Sequence, residues 1–181
     1  MTLDQLIDSL PSYAKDLRLN FSSLVRQQQE LTKSQLWGTL VASAVATRTP
    51  QLLEAVLMDA AEQLSPEALE AAKAAAAIMA MTNIYYRFLH LSTNPKYATI
   101  PSKLRMNVLR THGTDSVDFE LWSLAVSAIN GCGKCVDSHE NVLRQKGVSE
   151  ETIAAAIRVA AVIHAIGTTL EAESVQVPQL V

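Results

Sequence analysis

Cysteine is nearly missing from this chain of 181 residues: there are two, both inside Asn130-Gly131-Cys132-Gly133-Lys134-Cys135. A single Cys-x-x-Cys pair cannot be a disulfide framework, and it lacks the second pair of thiols that a structural zinc site usually supplies. Aromatic residues make up only 5% of a sequence that is 49% apolar and rich in alanine. Strands favour β-branched and aromatic side chains, so an all-α fold is expected. A strong charge of either sign is also lacking. The net charge of -3 and pI near 5.8, with lysines and arginines scattered along the chain, give no basic field for nucleic acid. Long apolar runs are absent too. Ala74 to Met81 and Val159 to Ile166 fall short of the roughly 18 residues that cross a bilayer, so both read as buried core helices and no membrane partner is expected. The first twenty residues carry Asp4, Asp8, Lys15 and Asp16 and do not resemble a secretory signal, which makes the cytoplasm the expected location. In a reducing cytosol a lone Cys-x-x-Cys cycles between dithiol and disulfide more readily than it persists as a brace.

What is present is a series of helix signals. The chain suffices for one domain, residues 1–181, burying roughly 70% of its extended-chain surface. Leu3, Leu6, Ile7 and Leu10 recur at helical spacing and stop at Pro11. A weaker pattern from Tyr13 to about Asn20 predicts a second helix, with a break over Asn20, Ser22 and Ser23. Thr32 and Gln35 have capping-box spacing ahead of Trp37, Leu40, Val41 and Ala44. Thr49-Pro50 and Ser65-Pro66 place an N-cap before a proline at the first helical position, the latter opening a helix expected to end near Tyr85. Asn94-Pro95 and Ile100-Pro101 then interrupt the pattern, leaving a connector with one short helix around Leu104 to Leu109.

The two sides of that connector resemble each other. Gln35-Leu36-Trp37 aligns with Glu120-Leu121-Trp122 at an offset of 85, and Ala75 to Met79 aligns with Val159 to Ile163 at an offset of 84. A repeated three-helix unit, residues about 32–90 and 116–173, is the simplest account. At the first offset Thr49-Pro50 coincides with Lys134-Cys135, so a helix is expected to start near Cys135. There the positive end of the macrodipole and unpaired backbone N–H groups stabilise a thiolate.

His139 follows Cys135 by four residues, hence on the same helix face and about one turn, or 5 to 6 Å, away. Glu120 precedes Asn130 by ten residues and His139 follows it by nine. A helical hairpin turning at Asn130-Gly131 therefore sets carboxylate beside imidazole, and carboxylate, imidazole and thiol form a proton-transfer chain. Ser123 and Ser127 continue Glu120's stripe and are candidates for the same polar channel. Each residue has a plainer reading. For the cysteines it is a buried inert pair or two zinc ligands, with redox use favoured because a second cysteine pair is lacking; for His139 it is an ordinary satisfied histidine, and for Glu120 an acid favoured by the dipole in a first helical turn. Trp37 and Trp122 read as core.

Glu120-Leu121-Trp122-Ser123, Ser127 to Cys132, Cys135 and His139-Glu140, with Leu10-Pro11, Tyr13 to Asp16 and Leu36 to Leu40 earlier in the chain, resemble the alkylhydroperoxidase D (AhpD) family of the carboxymuconolactone decarboxylase superfamily. The resemblance covers nearly the whole chain. It implies an all-helical fold of two related halves, usually a homotrimer, acting as a thiol–disulfide adaptor and weak peroxidase in antioxidant defence, with no bound cofactor and no metal. Electrons are implied to come from dihydrolipoamide on a lipoyl-bearing dihydrolipoamide acyltransferase and to pass to the peroxiredoxin AhpC. The catalytic residues it implies are Cys135 as the attacking thiol, Cys132 as proton donor and resolving thiol, and His139 with Glu120 as the relay. Lys134 departs from the histidine that some members carry between the cysteines; a lysine cannot shuttle protons near neutrality. Two other readings stay open: a helical binding or redox-sensing module whose thiols hold a metal, and a thiol-independent decarboxylase.

Overall fold

Thr32 and Gln35 satisfy each other's backbone at the start of α3 (Lys33–Thr47): Thr32 Oγ1 accepts from the Gln35 N–H at 3.2 Å and Gln35 Oε1 from the Thr32 N–H at 3.0 Å. The helix so started is buried on nearly every side, through Leu36, Gly38, Thr39, Leu40, Val41, Ala42, Ser43 and Ala44. A helix with no polar face belongs at the centre of the fold. Its counterpart is α7 (Ser116–Ile129), buried from Asp118 to Ser127 at every position but Glu120. The two pack against each other, flanked by α5 (Pro66–Leu91) and α9 (Glu150–Ser174), each of which contacts both.

The computed structural model describes residues 1–175, so residues 176–181 of the expected single domain lie outside what is described. Among the described residues every regular element is helical, as composition predicts. The remaining helices are α1 (Leu3–Asp8), α2 (Lys15–Arg26), α4 (Pro50–Ala60), α6 (Val108–Thr111) and α8 (Gly133–Gln145). α3, α4 and α5 have 15, 11 and 26 residues, and α7, α8 and α9 have 14, 13 and 25. The packing is correspondingly reciprocal: α5 lies on α7 and α8 while α9 lies on α3 and α4.

Gly38 sets how closely the central pair approaches. A Cβ there would stand 2.1 Å from Cε2 of the fully buried Trp122, so the indole rests on bare α3 backbone. A second tie joins the same helices at their first turns, where Ser34 Oγ donates to Asp118 at 2.6 Å.

Several sequence expectations need correction. α2 runs unbroken through Asn20, Ser22 and Ser23 because Phe21 is buried against the core, and packing outweighs the weak propensity of those residues. Thr49 precedes Pro50 as expected, yet its hydroxyl caps nothing and is buried without a partner. α5 continues past Tyr85 to Leu91. The connector holds a 3-10 turn at Pro95–Thr99, and its helix lies at 108–111, later than expected. Val159 to Ile166 belongs to a 25-residue helix that is long and apolar enough to cross a bilayer, but 56% of its apolar 18-residue window is buried within the protein, as befits a core helix.

Candidate active site

The turn between α7 and α8 is built without a linker. Asn130 caps α7, Gly131 follows in the left-handed region at φ 66°, and the Gly131 and Cys132 N–H groups return to the carbonyls of Ala128 (3.1 Å) and Ser127 (3.0 Å). This is a Schellman closure, and glycine is the residue that takes its positive φ without strain. Cys132, the last member of that closure, is also the N-cap of α8: its Sγ accepts from the Cys135 N–H at 3.3 Å and its carbonyl from the Val136 N–H at 2.9 Å. The helix thus starts at Gly133, two residues before the expected point, and both sulfurs lie in its first turn.

Cys132 and Cys135 are joined in a disulfide, with Cα atoms 5.3 Å apart. Cys132 is completely buried, whereas Cys135, 6% exposed, faces a cavity of about 370 Å³. α8 contributes Lys134, Ser138 and His139 to its wall, and α5 contributes Met79, Thr82 and Tyr86. Met106 and Leu109 of the connector close the third side. The lining is mainly apolar, and one of the two sulfurs is open to it.

The hairpin brings Glu120 and His139 together as their spacing predicts, with Nδ1 of the imidazole 2.6 Å from Oε2. Glu120 is not in the first turn of α7, which Asp115 caps and Asp118 occupies, so the dipole does not account for its place. Nε2 of the same imidazole lies 3.3 Å from Sδ of Met79. Sequence reasoning took Met79 as core, since a methionine in an alanine run carries no other signal.

Ser123 and Ser127 do not line the cavity. Both are fully buried; Ser123 Oγ has no partner, while Ser127 Oγ accepts from Asn83 Nδ2 at 3.0 Å. Asn83 Oδ1 in turn accepts from Asn130 Nδ2 at 2.9 Å, and Arg87 Nη1 donates to the Asn130 carbonyl at 2.6 Å. The active-site turn is therefore fastened to α5 by a buried polar cluster. Its sequence signal is the polar pair Thr82-Asn83, set directly after the apolar run Ala74 to Met81. Among the described residues no group of three histidine, cysteine or carboxylate side chains converges on a metal-sized site.

Fold and site together define an all-helical protein with a disulfide-bonded cysteine pair at a helix start, backed by a histidine–carboxylate pair. The profile of the carboxymuconolactone decarboxylase family matches residues 95–175, which hold α6 to α9 and the whole Cys-x-x-Cys turn. Over 179 residues, 99% of this chain and 98% of the relative, it is 64% identical to the alkyl hydroperoxide reductase AhpD of Acidobacterium capsulatum. Proteins of the same name from Solibacter usitatus and Streptomyces avermitilis are 61% and 55% identical, over 96% and 97% of this chain and 98% of each relative. The chain belongs to the AhpD family, within the carboxymuconolactone decarboxylase superfamily.

Proposed function

We propose that this protein is an antioxidant alkyl hydroperoxide reductase, a peroxidase-type oxidoreductase that works by thiol–disulfide exchange. The observation that carries the reading is the disulfide at the start of α8, with Cys135 open to the cavity and Cys132 sealed beneath it. An incoming dithiol reaches only Cys135. Its thiolate attacks Cys135 Sγ and expels Cys132 as a thiol; its second thiol then closes the donor's own disulfide and releases Cys135. Two electrons pass from donor to protein, and both cysteines end as thiols.

In the oxidative half, His139, oriented by Glu120, takes the Cys135 proton. The thiolate attacks the terminal oxygen of a hydroperoxide, giving a sulfenic acid and an alcohol whose proton comes from Cys132. The Cys132 thiolate displaces the sulfenic oxygen as hydroxide, which takes a proton from solvent to leave as water, and restores the disulfide. The same thiol pair reduces a partner disulfide by exchange.

Dihydrolipoamide on a lipoyl-bearing acyltransferase is the proposed donor, with no bound cofactor required. The apolar wall of Tyr86, Met106 and Leu109 suits a short aliphatic dithiol arm. The proposed acceptor is the peroxiredoxin AhpC, and the proposed location is the cytoplasm. We read residues 32–90 and 116–173 as duplicated halves, a reading supported by their matched helix lengths and reciprocal packing. The proposed assembly is a homotrimer, supported by the apolar stripe that Ile84, Phe88 and Leu91 expose on α5 beside Tyr97 and Ile100.

The test is dihydrolipoamide-dependent turnover of an alkyl hydroperoxide. Cys135→Ser abolishes it with the helical circular dichroism unchanged; turnover that persists in this variant refutes the thiol mechanism and favours a thiol-independent activity.

A further inference from the structure

Met79 Sδ sits inside a shell of polar hydrogens. His139 Nε2 is nearest at 3.3 Å, Ser127 Oγ lies at 3.5 Å and Asn83 Nδ2 at 3.6 Å. A thioether carries no hydrogen and can only accept. Nε2 must therefore hold a proton for this contact to be favourable. On the other side of the ring, one proton lies between Nδ1 and Oε2 of Glu120, whichever atom owns it. The pair accordingly contains two protons and is neutral as a whole. The other titratable groups around the imidazole are Tyr86, across the cavity from α5, and Lys134, in the first turn of α8.

We infer that Met79 is a positioning residue for His139: its sulfur holds the Nε2 proton while the disulfide is closed, so the relay waits in its proton-loaded form. The inference rests on the proposed relay and adds to it the group that keeps the imidazole in place and loaded. When a dithiol donor opens the disulfide, Cys135 is released as a thiolate and takes the Nε2 proton; the pair returns to carboxylate and neutral imidazole. When Cys135 later attacks peroxide, its proton goes back to Nε2 beside the sulfur of Met79; the alcohol takes the Cys132 proton, and the displaced hydroxide takes one from solvent, equal to the proton that the donor's second thiol released to solvent during reduction. No proton is gained or lost at the pair over a full cycle.

The experiment is quenched-flow reduction of the oxidised full-length protein by dithiothreitol, with released thiols trapped by alkylation. Met79→Leu keeps the volume and removes the acceptor, and Met79→Gln supplies an amide oxygen in its place. The expected result is a loss of roughly tenfold in rate for Met79→Leu, the scale of one hydrogen bond to a charged group, and recovery to near the wild-type rate for Met79→Gln. His139→Gln serves as reference, with an expected loss of about 100-fold or more. If His139→Gln is slow while Met79→Leu matches wild type, the role of Met79 is overturned and the relay stands. If His139→Gln is itself as fast as wild type, the relay falls and the inference with it. Nitrogen-15 spectra of the imidazole in the oxidised wild-type protein give a check independent of any variant's folding: a protonated Nε2 is expected, and a bare Nε2 overturns the assignment.

Discussion

Glu120 and His139 stand 19 residues apart in sequence and 2.6 Å apart in space, on the two arms of a hairpin whose turn is the dithiol motif itself. The carboxylate holds Nδ1 and so aims Nε2 toward the cavity side of α8, where Met79 and Cys135 both lie. Aim and charge are separable in this pair.

Glu120→Gln keeps an acceptor for Nδ1 and removes the negative charge. Hydroperoxide turnover is expected to fall by roughly 10- to 100-fold, below the full loss of a general base, with little change in the unfolding midpoint. Steady-state assays beside thermal melts measure both; equal losses in activity and stability would make Glu120 merely structural.

Cys132→Ser and Cys132→Ala both remove the disulfide, but only serine retains an N-cap acceptor for the Cys135 N–H. The serine variant is therefore expected to be more stable than the alanine variant by about 1 kcal/mol. Urea unfolding compares them. Neither variant is expected to complete a peroxide cycle, since the thiol proposed to resolve the sulfenic acid is gone.

Gly38→Ala places a methyl group 2.1 Å from the Trp122 indole. The clash is with a ring fixed in the core, so a loss of about 1–3 kcal/mol is expected, outweighing the better helix propensity of alanine. Adding Trp122→Phe should recover part of that loss, which a double-mutant cycle on unfolding free energies reads directly.

Burial pushes the Asp118 carboxyl above its ordinary range, although Ser34 and Gln35 donate to it and pull the other way. An acid whose folded-state pKa is raised binds more protons folded than unfolded, so its contribution to stability falls as pH rises from the unfolded value of about 4 through the folded value. Asp118→Asn keeps the hydrogen-bonding shape and cannot ionise. The stability of the variant relative to wild type should improve as pH is raised from about 4 to 7, followed by chemical denaturation; a pH-independent difference would contradict the sign.

The helix starts were legible because capping is local. Thr32 with Gln35, and Ser65 with Pro66, announce themselves within four residues, and the hairpin count from Asn130 placed Glu120 on His139. What escaped the sequence depends on distant packing. Phe21 carried α2 through residues that read as a break, and Ser123 and Ser127 turned into the core. Met79 became the histidine's second partner from a helix 60 positions away. A residue whose role is set by a neighbour on another helix leaves no periodic trace.

Cys132 closes the end of one helix and caps the start of the next, and only Asn130, Gly131 and Cys132 separate the two. Inserting a single amino acid at this joint would turn α8 by about 100° about its axis and carry His139 off the face that meets Glu120. The spacing from Ser127 to Cys135 thus acts as a phase setting for the whole site, and this stretch is far less tolerant of insertions and deletions than of substitutions.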